Sequence, residues 1–143
     1  MSAVDLAVAK LQTLEGFRAN VYDDSDGMPI ITQGVPTIGF GCACRDWPIA
    51  LASSVLQWQV DALNASLNQL PWFIGLDDAR QAVLITLAFN LGFNGLIRGF
   101  PKMIAAIQAG NWAEAQNQCQ VTEPQLKSRY DWAGTVLFTG SWT

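Results

Sequence analysis

Val4, Val8, Leu11 and Leu14 recur at steps of three and four, the spacing that gathers apolar side chains on one helical face. Ser2 with Asp5 resembles a capping box, and Gly16 is a common stop signal. The pattern predicts an amphipathic helix over residues 3–14. Residues 17–22 and 35–40 then read as short strands, separated by a 23–36 loop dense in Asp, Gly, Pro and Ser. Pro36 confines the second strand to an edge or to its own first positions. The two strands would form a small antiparallel hairpin. Helical spacing returns over 49–70, where Val55, Leu56, Leu63, Leu67 and Leu70 alternate with Gln57, Asp61, Asn64 and Asn68, until Pro71 ends it.

The next helix, 76–91, is apolar around most of its circumference, which marks a central core helix. Asp77 and Asp78 lie near its start, where acids suit the helix dipole. Residues 92–99 are expected to break it. Phe100, Met103, Ile104 and Ile107 mark a further helix that stops at Gly110. Asn111 with Glu114 caps one over 112–119, and a last helix runs from Pro124 to about residue 138. The predicted class is α+β, mainly α, in a single domain. It comprises a small N-terminal lobe with a β-hairpin (1–48), a long connecting helix (49–70) and a helical lobe (71–143). A cleft between lobes is where a polymer would lie.

Composition narrows the chemistry. Half of the 143 residues are hydrophobic and 14% are charged, enough for a real core and too few charges for a disordered chain. A net charge of −4 argues against nucleic acid, which requires a basic face. No run approaches the ~20 apolar residues that span a bilayer, so no stable membrane insertion is expected. The N-terminus, MSAVDLAVAK, lacks a basic region and carries Asp5. It is not read as a signal peptide, and synthesis in a cytoplasm is expected. Cys42, Cys44 and Cys119 suit that compartment as free thiols. The Cys-x-Cys pair could be half a metal site, but a closed zinc site lacks its remaining ligands. No metal and no cofactor is expected.

The chain contains no histidine, which excludes Ser-His-Asp and Cys-His hydrolysis and His-ligated zinc. A hydrolase built from this chain would move protons on carboxylates. Glu15 stands at a helix-to-strand transition between Leu14, Gly16 and Phe17. Apolar surroundings raise a carboxyl pKa, as a general acid requires; the plainer alternative is a solvated helix-end Glu. Asp24, nine positions on, could activate water or stabilise developing positive charge; the alternative is turn chemistry, shared with Asp23 and Asp26. Thr37 opens a TIGFG strand and could hold a water, although a β-branched residue is ordinary there. Gly39 and Gly41 leave that strand bare for a ligand to approach.

LEGFRANVYDDSDG followed by PTIGFG resembles the N-terminal motif of phage-type lysozymes, glycoside hydrolase family 24. Glu15-Gly16, Tyr22-x-Asp24 and Thr37-x-Gly39-x-Gly41 fall on the family pattern in order. The likeness continues through RQAVLITLAFNLGFNGLIRGF, MIAAIQAGNWAEA and the terminal TGSW. The resemblance implies a lysozyme-like fold and a muramidase that cuts peptidoglycan between N-acetylmuramic acid and N-acetylglucosamine, with inversion, during host cell lysis. It implies Glu15 as catalytic acid, Asp24 as the carboxylate that activates water, and Thr37 as the hydroxyl that helps hold it. It selects Asp24 over Asp23, and Thr37 over Thr32. Gly41, Phe89, Asn90 and Asn94 are candidate substrate contacts, although Phe89 reads first as core and the two Asn residues also suit turns. Trp72, Trp112, Trp132 and Trp142 read as packing residues.

The sequence departs from the family in a longer loop between Asp24 and Thr37, in Cys42 where members often carry a His, and in its acidic balance. Peptidoglycan is the implied partner, a monomer the implied state, and a holin the implied route to the periplasm. Lytic transglycosylase, chitinase and a catalytically dead glycan-binding module are the competing readings.

Overall fold

The computed structural model describes residues 10, 17–23, 25, 28, 34–39, 42–44 and 47–142. Three strands come first: β1 (Arg18–Asp23), β2 (Pro36–Gly39) and β3 (Cys42–Ala43). Seven helices follow among the described residues: α1 (Ile49–Leu67), α2 (Pro71–Ile74), α3 (Asp78–Leu91), α4 (Phe93–Gly99), α5 (Pro101–Gln108), α6 (Trp112–Gln118) and α7 (Pro124–Thr139). The class is α+β, mainly α. The chain divides into two compact units, Met1–Ala52 and Ser53–Thr143. Of the helix expected over 3–14, only Lys10 is among the described residues, and it is helical.

In the first unit the sheet order is β1-β2-β3, antiparallel throughout. Tyr22 pairs with Thr37 and Asp23 with Pro36, and the register slips between Arg18 and Tyr22. Pro36 takes the first position of β2, where its missing N–H costs least. The expected two-stranded hairpin is therefore three-stranded. The third strand, two residues long, pairs Ala43 with Thr37 and Cys42 with Ile38. So short a strand carries no alternation that could announce it.

In the second unit, local punctuation sets the helix ends. Leu70 is extended and Pro71 opens α2, because proline disfavours helical geometry in the residue before it and suits the first helical turn itself. Asp77 caps α3, accepting from the Arg80 N–H at 2.9 Å. Burial pushes the Asp77 carboxyl upward, but the Arg80 hydrogen bonds and charge prevail and hold it below its usual value. Asn111 caps α6 by accepting from the Glu114 N–H at 3.2 Å. Gly140, at φ 67°, closes α7 in the left-handed conformation, with its N–H donated to the Val136 carbonyl.

The 92–99 stretch departs from expectation. Gly92 alone breaks the chain, at φ 72° and ψ 159°, and residues 93–99 resume as α4, bent 103° from α3. Leu96 is fully buried, and that anchorage outweighs the low helix propensity of Gly95 and Gly99. The core gathers Leu67 and Phe73, Val83, Leu84, Leu87 and Ala88 of α3, Met103 and Ile107 of α5, and Tyr130, Ala133, Val136 and Leu137 of α7.

One side chain ties three helices together. The Arg80 guanidinium donates to the Leu137 carbonyl at 2.8 Å and the Phe138 carbonyl at 3.1 Å. It also pairs with Asp77 and lies 4.0 Å from the centre of the Trp112 ring. A cation at a helix C-terminus satisfies carbonyls that have no partner within the helix and complements its dipole.

Candidate active site

Thr37 is the one candidate catalytic residue among those described. Alternation on β2 turns its side chain inward: it is 4% exposed, while Pro36 and Ile38 on either side are half-buried. Its hydroxyl donates to the Val35 carbonyl at 2.9 Å. That bond uses the hydroxyl's single hydrogen and leaves oxygen lone pairs to accept one. The residue opposite on β1, Tyr22, carries the Arg18 guanidinium 4.2 Å from its ring centre. Glu15, Asp24 and Gly41 lie outside the described residues, as does the competing Thr32.

The remaining candidates belong to the helical unit. Phe89 was expected in the core and is instead 45% exposed. On α3 the inward positions are Val83, Leu84, Leu87 and Ala88. The helical step carries Phe89 past that face, to the side shared by Ala82, Ile85 and Thr86. Asn90 donates to the Thr86 carbonyl at 3.0 Å and accepts from the Arg129 guanidinium of α7. Phe89 and Asn90 line a cavity of about 390 Å³ together with Thr86, Ser128, Arg129 and Trp132. An aromatic ring, an amide, a hydroxyl and a guanidinium around one hollow are groups that suit a polar, ring-shaped ligand. Asn94, exposed on α4, does not line this cavity.

Phe89 also borders an apolar hollow of about 360 Å³ with Leu56, Val60, Ile85 and Trp142. Trp72, Trp112 and Trp132 pack against the core as expected. Trp142 is more than half exposed, meeting Trp132 edge-to-face at 5.1 Å. A third cavity, about 650 Å³, is lined by Phe100 and Tyr130 along with Lys102, Gln118, Glu123 and Leu126. Phe100 and Tyr130 stack at 5.6 Å. Burial chiefly, with the neighbouring Cys119, pushes the Tyr130 phenol upward, against the opposing pull of Arg129.

Arg129 was not among the sequence candidates. Its only sequence signal is its spacing of three from Trp132 on α7, which puts both on one helical face. Its contact with Asn90 joins residues 39 positions apart, beyond the range of local pattern.

A sequence model of the phage lysozyme family matches residues 12–129. The chain matches no curated protein at a significant level.

Proposed function

This chain belongs to the phage lysozyme family, and from that premise we propose that it is an endolysin muramidase acting by inversion. The family's chemistry is glycoside hydrolysis and its substrate is peptidoglycan. The bond in question is the β-1,4 link from N-acetylmuramic acid to N-acetylglucosamine. The observation that carries the reading is the family match over residues 12–129, a stretch that contains Glu15, Asp24 and Thr37.

In this mechanism Glu15, protonated, gives its hydrogen to the departing glycosidic oxygen. Water attacks the anomeric carbon from the opposite face as that bond breaks, and Asp24 takes the proton the water loses. Thr37 accepts a hydrogen bond from the same water through the lone pairs that its bond to Val35 leaves open. Gly41, Phe89, Asn90 and Asn94 contact the sugars. The protein acts as a monomer, is made in the host cytoplasm and reaches the periplasmic wall when a holin opens the inner membrane.

The test is release of soluble muropeptides from purified sacculi by wild type and by Glu15→Gln. Wild type should produce reducing ends, and the variant should lose at least ~10²-fold in rate, the usual scale of general-acid catalysis. Anhydro-sugar products would instead identify a transglycosylase. Binding of sacculi without release would identify a dead module. An undiminished Glu15→Gln would refute the assignment of the acid.

A further inference from the structure

The Cys-x-Cys pair takes no part in the hydrolysis proposed above, yet its placement in the sheet is specific. Ile38 pairs with Cys42 and Thr37 with Ala43. The Cys44 N–H donates to the Pro36 carbonyl at 2.5 Å, so the ladder continues one residue beyond β3. Side chains alternate across a strand. Cys42 and Cys44 therefore share one face of this edge strand, and Ala43, opposite Thr37, takes the other. Cys42 is exposed, Cys44 is half-buried, and neither forms a disulfide. The Cys44 thiol turns back along the strand, with Sγ 3.8 Å from the Cys42 carbonyl oxygen.

A direct disulfide suits this geometry poorly. Bridged Cβ atoms lie about 3.5–4.5 Å apart, whereas residues two apart on a strand are separated by two rises of about 3.3 Å each. A single metal atom bonded to both sulfurs spans that gap without breaking the strand. We propose that Cys42 and Cys44 chelate a soft monovalent cation of the copper(I) class through two thiolates.

The donor set selects the ion. Soft thiolates favour copper(I), which is satisfied by two of them. Zinc requires three or four protein ligands. The chain has no histidine, and among the described residues no group of three or more Cys, Asp or Glu could hold a metal. The third thiol, Cys119, is fully buried and hydrogen-bonded to the Tyr130 carbonyl at 3.6 Å. On binding, each of the two thiols loses its proton, and one copper(I) ion joins them as an anionic bis-thiolate complex. No electron is transferred.

The experiment is an anaerobic titration of the full chain with copper(I) against a chromophoric copper(I) chelator. Thiolate-to-copper absorbance and proton release are followed together. One copper per chain and two protons per copper are expected. Cys42→Ser and Cys44→Ser should each weaken binding by more than ~100-fold, exceeding the usual effect of losing an outer-shell partner. Alkylation of the native protein, which reaches the two accessible thiols and spares Cys119, should abolish binding. Half a copper per chain with dimer formation would overturn the intrachain chelate. Retained affinity in either variant, or equally tight zinc binding, would overturn the assignment of ligands and ion.

Discussion

Replacing Arg80 with alanine should unfasten the helical unit at the point where α3, α6 and α7 meet. The side chain is only 14% exposed, and its two bonds to the Leu137 and Phe138 carbonyls are 2.8 and 3.1 Å long. Hydrogen bonds from a charged donor are worth about 1.5–3 kcal/mol each. The stacking on Trp112 adds about 0.5–2 kcal/mol. The Asp77 pair adds only a few tenths, because that carboxylate is 43% exposed and water screens the pair. These contributions share one guanidinium and do not sum, and water can reach the freed carbonyls. A net loss of about 3 kcal/mol follows, or about 6–12 °C in Tm for a chain of this size. Arg80→Lys keeps the charge but loses the planar fork, and should recover less than half of the loss. Urea denaturation monitored by far-UV circular dichroism and tryptophan fluorescence provides the measurement. A cost for Arg80→Ala within about 0.5 kcal/mol of zero, the range of an ordinary surface change, would refute the argument that this residue fastens the three helices.

Gly140→Ala should destabilise through the same residue: its backbone is at φ 67°, and a Cβ there would lie 2.6 Å from Arg80 Nη1. Left-handed backbone alone costs about 1–2 kcal/mol, whereas Gly99→Ala, with open space around the new methyl, should be neutral or stabilising; urea midpoints compare them. Burial, aided by the charge of Asp131, pushes the Cys119 thiol from 9.0 to about 12. The unfolded chain therefore loses this proton first, and the contribution is complete below pH 9 and lost as pH rises towards 12, reaching on the order of 4 kcal/mol. Cys119→Ala should flatten that alkaline limb of the stability-versus-pH curve. Thr37→Val removes the bond to Val35 and the proposed water contact together; stability should fall by about 1 kcal/mol, while muropeptide release falls by a larger factor. Thr37→Ser should restore release, and a Thr37→Val enzyme of full activity would remove the hydroxyl from the mechanism.

Much of the backbone was legible in short stretches of residues. Pro71, Asp77, Gly110, Asn111 and Pro124 each act on φ, on a missing N–H or on a cap within a few positions. Helix ends follow from such local constraints, and the family motif from Glu15 to Gly41 is equally local. Other features were not legible in this way: the end of α1 at Leu67 and the short helix α2 after it, the two-residue strand β3, the continuation of helix through 93–99, and the exposed position of Phe89. β3 exists because β2 offers it an edge. α4 persists because Leu96 finds a core to enter. Phe89 faces outward because the neighbouring helices occupy the other side of α3. The contacts of Arg80 with α7 and of Arg129 with Asn90 join residues 57 and 39 positions apart. Hydrogen-bond partners at that separation are chosen by how helices pack, and no periodicity along the chain encodes which distant carbonyl a guanidinium will meet.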